Sequence, residues 1–265
     1  RDARDHGVEV RPVSVCFSDW DCSLERRTDD TPALRLGFRQ VKSMREEAAL
    51  RISEARAQAQ FTSVQDLSLR AHLDRRELEA LADADALREL SGNRHLTFWQ
   101  VAGREQELPL APVPQSPEGT PLLAPPTEGQ NIAADYRAKG LTLGRHPLAL
   151  LRGQLEQSQI VTSRALQGLA NGEGVRVAGI VTARQRPQSA AGVMFITLED
   201  ETGYVNLIVW EQVWMRARRV ANGSRLLEVH GKLQREGLVT HVVAKKLVDR
   251  TPLLGSLVTR SRDFR

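Results

Sequence analysis

The sequence predicts an α+β protein in separate parts: a small all-α unit, then a five-stranded β-barrel. Three observations carry this. Residues 174–250 fall into five strand-like runs with a helical run after the third. Residues 34–104 show apolar positions at helical spacing behind capping signals. Between these regions, residues 105–130 hold 7 of the chain's 12 prolines and read as an extended linker.

Residues 1–33 are expected to be irregular, with one strand candidate at Val8-Glu9-Val10 and punctuation at Pro12 and Pro32. Ser43-Met44-Arg45-Glu46 reads as a capping box that opens a helix through about Ala57, with Ala48, Ile52 and Ala55 as its apolar stripe. Ser63-Val64-Gln65-Asp66 opens a second helix. Asp74-Arg75-Arg76-Glu77 opens a third, followed by Leu78, Leu81 and Ala82. Short helices joined by tight turns suggest a tandem helix-hairpin-helix, which grips duplex phosphates through backbone N–H groups. Neither candidate hairpin, at Val41–Arg45 or Leu73–Arg76, contains glycine. Arg39, Lys42, Ser43, Arg45, Arg75 and Arg76 are its candidate DNA contacts, with a purely structural spacer as the other reading. The linker contains Pro109–Pro112 and Pro114–Pro117 at PxxP spacing, and residues 131–173 form a helical connector.

Strand alternation sorts the barrel residues by face. Val175, Val177, Val181, Met194, Ile196, Leu198, Val205, Leu207 and Val209 form the core set. Arg176, Thr182, Arg184 and Arg186 are expected opposite them, as are Phe195, Thr197, Asn206 and Trp210. Five strands with a helix after the third is the order of an OB-fold, whose second and third strands bind oligonucleotides. Phe195 there is placed to stack on a base, with Arg184, Arg186, Lys232, Arg235, Lys245 and Lys246 to neutralise phosphates. Trp210 and Trp214 are expected to pack the following helix onto the barrel, while Tyr204 fits either role and His230 and His241 need no ligand.

Charge agrees with that placement. Residues 174–265 hold 15 Lys+Arg against 8 Asp+Glu, a net +7, whereas residues 1–173 hold 22 against 25, a net −3. The basic excess thus belongs to the barrel segment. Cys16 and Cys22 are the only cysteines, which argues against a disulfide framework and for the cytosol. Their spacing fits no zinc knuckle, so no metal site is expected. No apolar run approaches the roughly 20 residues that span a bilayer. The charged opening Arg1-Asp2-Ala3-Arg4-Asp5 is not a signal peptide, and the chain reads as starting mid-protein.

Several longer motifs resemble the C-terminal part of the bacterial error-prone DNA polymerases of the DnaE type, in the C family. They are His6–Val13, Ser18-Asp19-Trp20-Asp21-Cys22, Leu34–Lys42, Ala134–Leu141 with His146-Pro147-Leu148, the barrel strands, and the tail Ser261-Arg262-Asp263-Phe264. The family's tail usually ends in His where this chain has Arg265. The resemblance implies the end of the fingers region at 1–33, the helix-hairpin-helix unit at 34–104, the OB domain at 174–250 and a tail at 251–265. It also implies that the parent extends a primer on a DNA template, with Mg²⁺ at palm carboxylates outside this chain, so that no residue here is catalytic. By family the parent acts in damage-induced translesion synthesis, with an inactive Y-family polymerase relative and a RecA-like accessory protein as partners. Two rivals stay open. One is an RNA-binding module, since anticodon-binding OB domains share Phe-x-x-Leu-x-Asp-x-Thr-Gly. The other is an architectural unit that docks accessory proteins.

Overall fold

The computed structural model describes residues 2–27, 31–103, 123–187, 192–237 and 239–259, arranged in two units, Arg1–Gly144 and Arg145–Arg265. The two PxxP segments and the Ser-Arg-Asp-Phe tail lie outside the described residues.

In the first unit, α1 (Asp2–Asp5) precedes β1 (Glu9–Arg11), β2 (Ser23–Arg26) and β3 (Pro32–Arg35). A 3-10 turn at Phe38–Gln40 leads to α2 (Glu46–Gln58), α3 (Val64–Arg70), α4 (Arg75–Asp83), α5 (Arg88–Ser91), α6 (Arg94–Ala102) and α7 (Glu128–Lys139). The opening segment is therefore not irregular. Its three strands form a sheet in the order β1-β3-β2, with β1 parallel and β2 antiparallel to β3. Strands of three or four residues are too short to show alternation, and ionic contacts help hold them. Arg35 is buried, donates from Nε to Glu25 at 2.7 Å and from Nη1 to Pro12 O at 2.9 Å, and lies over the Phe17 ring. Arg11 meets the same carboxylate at 2.6 Å. The hydrogen bond from Arg35 leads in holding the Glu25 carboxyl below its ordinary value.

The helices follow their sequence signals at most ends. Ser63 Oγ accepts from Asp66 N, and Asp74 with Glu77 forms a reciprocal capping box. Ala48, Ile52 and Ala55 of α2 pack with Leu78, Leu81 and Ala82 of α4 in one core around Phe38 and Leu67. The start of α2 differs from expectation. Its N-cap is Arg45 with no side-chain bond, and Ser43 sits two residues earlier at φ +65°. Ser43 is thus a left-handed turn residue and not a cap. Thr127 and Gln130 form a capping box that starts α7 inside the stretch read as linker. Asp135 of α7 accepts from Arg94 at 2.7 Å, Lys139 at 2.9 Å and Thr142 at 2.9 Å, which ties this helix to α6.

The second unit begins with α8 (Pro147–Gln157) and a 3-10 turn at Ala165–Gly168. It continues with β4 (Gly174–Gln185), β5 (Met194–Glu199), β6 (Tyr204–Val209), α9 (Glu211–Arg216), α10 (Arg218–Gly223), β7 (Leu226–Glu236), β8 (Val239–Asp249) and α11 (Thr251–Thr259). The five strands close in the order β4-β5-β6-β8-β7, with β6 and β8 parallel. Closure removes the sheet edges and buries Val175, Val177, Ile196, Leu198, Leu207, Val229 and Val242 in a continuous core. Helices α9 and α10 stand between the third and fourth barrel strands, as the sequence order requires. Among the described residues, no helix is long and apolar enough to cross a membrane.

Candidate nucleic-acid interface

Strand register places the outward side chains in rows. Gln185 pairs with Phe195, Phe195 with Ile208, Ile208 with Val243, and Val243 with Lys232. At about 4.8 Å per strand step this row runs about 19 Å around the barrel. The neighbouring row is polar apart from its first member: Ala183, Thr197, Asn206, His241 and Gln234. Phe195, second in the first row, is 37% exposed, and Asn206 is exposed in the second. Thr197 Oγ1 donates to Asn206 Oδ1 at 3.2 Å, which orients that amide. Lys232 closes the row as an exposed cation with no carboxylate partner among the described residues. Arg176 lies in a further row with His230 and Lys246, and its Nη1 reaches Ser158 O at 3.4 Å. An apolar strip with one exposed aromatic, a hydrogen-bonding strip beside it and unpaired cations nearby suits stacked bases and a phosphate backbone.

Three of the expected phosphate contacts are elsewhere. Residue Thr182 is an extra residue in β4, because the register steps from Val181↔Leu198 to Ala183↔Thr197. A bulge of one residue reverses the faces beyond it. Arg184 therefore pairs with core-facing Ile196, and its guanidinium turns to the end of the barrel, donating to Ala221 O at 2.7 Å and to Ser224 O. Burial lowers its pKa from the ordinary value. Arg186 shares that parity and lies over the Trp214 ring, 5.1 Å from its centroid. At the end of β7, Arg235 follows the parity of buried Leu233 and donates to Leu166 O, Gln167 O and Leu169 O, tying down the 3-10 turn. These three arginines bind the barrel's own carbonyls and aromatic wall.

The two tryptophans divide. Trp214 is 5% exposed and its indole N–H donates to Gly192 O at 2.8 Å, so it packs the helix as expected. Trp210 keeps the outward parity of β6 and is 53% exposed, so it does not. Arg216, Arg218 and Arg219 on α9 and α10 are also exposed, a cationic run that strand alternation could not reveal because it lies on helices.

In the helical unit, Ser43 in the first hairpin and His72 just before the second, at φ +65° and +48°, adopt the left-handed conformation that glycine takes without strain. The backbone N–H of Lys42 donates to Ala138 O at 2.8 Å and its Nζ to Tyr136 O at 3.3 Å. Arg39 pairs with Asp21, and Arg45 with both Asp74 and Glu77. Arg75 pairs with Glu79 across one helical turn, while Arg76 is exposed. The first turn of α4 is closed by its own capping box. The first turn of α2 has no side-chain cap but carries Glu46 and Glu47, which oppose an incoming phosphate.

Sequence reasoning missed the residue that organises the β5–β6 turn. Asp200 is 2% exposed. Its Oδ1 accepts from Thr202 N at 2.7 Å, Thr202 Oγ1 at 2.8 Å, Gly203 N at 2.8 Å and Ser163 Oγ at 2.8 Å; Oδ2 accepts from Ser163 N at 2.5 Å. Burial pushes the carboxyl upward, but the bonds from Ser163 and Thr202 outweigh it and hold the pKa below its ordinary value. The Asp-x-Thr-Gly signature is therefore a structural turn that sets the register of β5 on β6. Among the described residues, no group of three His, Cys, Asp or Glu side chains stands together as a metal site would need.

Comparison with known proteins adds two kinds of finding. A family model described as a helix-hairpin-helix motif matches residues 7–97, and one described as an OB-fold nucleic acid binding domain matches residues 175–249. Among curated relatives, the error-prone DNA polymerase of Alkalilimnicola ehrlichii is 51% identical over 264 residues, covering 100% of this chain and 26% of the relative. Its counterpart in Methylococcus capsulatus is 48% identical over 282 residues, covering 100% and 27%. This chain thus spans about a quarter of the length of the curated relatives it matches. Among solved structures, asparaginyl-tRNA synthetase from Pyrococcus horikoshii is 22% identical over 34% of this chain and 22% of its own, with a TM-score of 0.29, too low to bear on fold or function.

Proposed function

The chain belongs with the error-prone DNA polymerases, of which it spans about a quarter, and on that premise we propose that its barrel holds the single-stranded template while the helical unit steadies the nearby duplex. The observation that carries the reading is the outer row of the barrel. It sets one exposed aromatic, Phe195, next to apolar Ile208 and Val243, with Lys232, which has no carboxylate partner among the described residues, at the far end, beside a mostly hydrogen-bonding row. Every base has a π-face, so stacking on Phe195 tolerates any template sequence. That tolerance suits a polymerase, whose template is arbitrary. The nucleotidyl transfer itself, and the Mg²⁺ it needs, belong in this reading to carboxylates of the intact enzyme outside this chain. By the same reading the whole enzyme works in translesion synthesis after DNA damage, in the cytoplasm, alongside an inactive Y-family relative and a RecA-like accessory protein.

The RNA-binding alternative rests on the Phe-x-x-Leu-x-Asp-x-Thr-Gly pattern, but Asp200, Thr202 and Gly203 of that pattern are consumed in holding the turn. They mark the fold and select no nucleic acid. The test is a titration of labelled single-stranded DNA, duplex DNA and tRNA with this 265-residue protein at several salt concentrations. Salt-sensitive preference for single-stranded DNA, weakened by Phe195→Ala by about 5- to 140-fold, is expected. A preference for tRNA moves the assignment to the RNA-binding class. Absence of binding even at low salt refutes the template role and favours a docking role.

A further inference from the structure

At the end of β6 the outward alternation Tyr204, Asn206, Ile208 continues for one more residue, to Trp210. The Trp210 indole is left half in solvent there, while Trp214 of the same segment is buried and hydrogen-bonded. Trp210 walls an open groove of about 600 Å³. Its other lining residues are Glu211, Gln212 and Val213 of α9 and Val243, Ala244 and Lys245 of β8. Two features connect this groove to a nucleic acid. Val243 belongs both to the groove and to the apolar row Phe195–Ile208–Val243, so the groove continues the outer face without a break. Lys245 is the extra residue of a bulge in β8, since His230 pairs with Lys246 and the next residue, Gly231, pairs with Ala244. A bulge re-aims the side chain it carries. Lys245 is exposed and has no carboxylate partner among the described residues.

We propose that this groove is a second nucleotide subsite, in which Trp210 stacks a base of single-stranded DNA and Lys245 neutralises the adjoining phosphate. Glu211 also lines the groove, so the phosphate lies at the Lys245 end, away from that carboxylate. The subsite rests on the reading of the barrel as a single-strand grip and extends it. The strand passes from the Phe195 row over Val243 into the groove. Trp is the strongest stacking side chain, so the subsite contributes at least as much as Phe195.

The experiment uses oligodeoxynucleotides of graded length with the 265-residue protein and its Trp210→Ala, Trp210→Phe, Lys245→Gln and Phe195→Ala variants. Trp210→Ala is expected to weaken binding of long oligonucleotides by about 5- to 140-fold, with little effect on oligonucleotides too short to leave the Phe195 row. Trp210→Phe keeps most of the affinity but abolishes the quenching of tryptophan fluorescence that DNA produces in the parent protein. Lys245→Gln lowers the slope of log affinity against log salt by about 0.7. If Phe195→Ala weakens binding while Trp210→Ala and Lys245→Gln do not, the subsite is wrong and the template grip stands. If the parent protein binds no single-stranded DNA, both fall together.

Discussion

Asp200→Asn removes one charge from the barrel and almost no volume, so its effect measures the β5–β6 turn. Asparagine can leave its carbonyl oxygen where Oδ1 now accepts from Thr202 N, Thr202 Oγ1, Gly203 N and Ser163 Oγ. Its amide group then faces the Ser163 N–H, a donor against a donor, where Oδ2 now accepts at 2.5 Å. One buried donor left unpaired costs about 1–3 kcal/mol. The remaining bonds lose their charge assistance, which is worth roughly half their strength. Relief of the buried charge offsets part of this, and the net loss is about 3 kcal/mol. Hydrogen exchange read by mass spectrometry resolves it by segment. Protection of β4, β5 and β6 should fall by roughly 150-fold, at about 1.4 kcal/mol per decade, while α2 to α4 of the first unit stay unchanged. The pH dependence has a defined sign. The folded pKa of Asp200 lies below the ordinary 3.8, so the carboxylate's stabilisation is complete above that value and disappears as pH falls through the folded value. The difference between parent and variant is therefore full at neutral pH and narrows on acidification below about 3.8. Barrel protection within threefold of the parent at neutral pH would refute the assignment of Asp200 as the organiser of the turn.

Arg184→Gln and Arg235→Gln should each lower barrel stability by about 1–2 kcal/mol in denaturant titration and leave the salt slope of DNA binding unchanged, since both guanidiniums hold backbone carbonyls. Lys232→Gln should do the reverse, lowering that slope by about 0.7 with unchanged stability; equal slopes for all three variants would show that the strand register misplaces them. Ser43→Gly should raise the melting temperature of the first unit by about 1–3 °C, because glycine takes φ +65° without strain; a lower melting temperature speaks against a strained hairpin. Gly179→Ala should destabilise the barrel by about 1–3 kcal/mol, as a Cβ there would lie 2.7 Å from Leu198 Cβ and 2.9 Å from Glu199 O; an unchanged unfolding midpoint means β5 can move away.

Much of the fold was legible because its signals are local. Ser63 and Asp74 announce α3 and α4 through side chains that bond three residues on. The alternation in Met194–Glu199 and Tyr204–Val209 appears unchanged in the burial of β5 and β6. The opening sheet stayed hidden because its strands are three or four residues long and pair through Arg35, Glu25 and Arg11. The candidate site was half legible. Phe195, Thr197 and Asn206 lie on uninterrupted strands, so alternation assigns their face, whereas Arg184 and Arg186 lie beyond a bulge that leaves no mark in composition. Trp210 and Lys245 meet only because β8 pairs in parallel with β6, a contact between segments distant in sequence.

By itself, then, the sequence determined the helical unit, the barrel, the apolar core, the excess positive charge of residues 174–265 and the resemblance to error-prone polymerases. Those properties depend on residue type and short-range periodicity. Only the tertiary structure decided which cations face outward, that Asp200 is structural and that Trp210 stands open beside Lys245. The physical reason is that a single inserted residue reverses the face of every residue after it, and only the partner strand reveals the insertion.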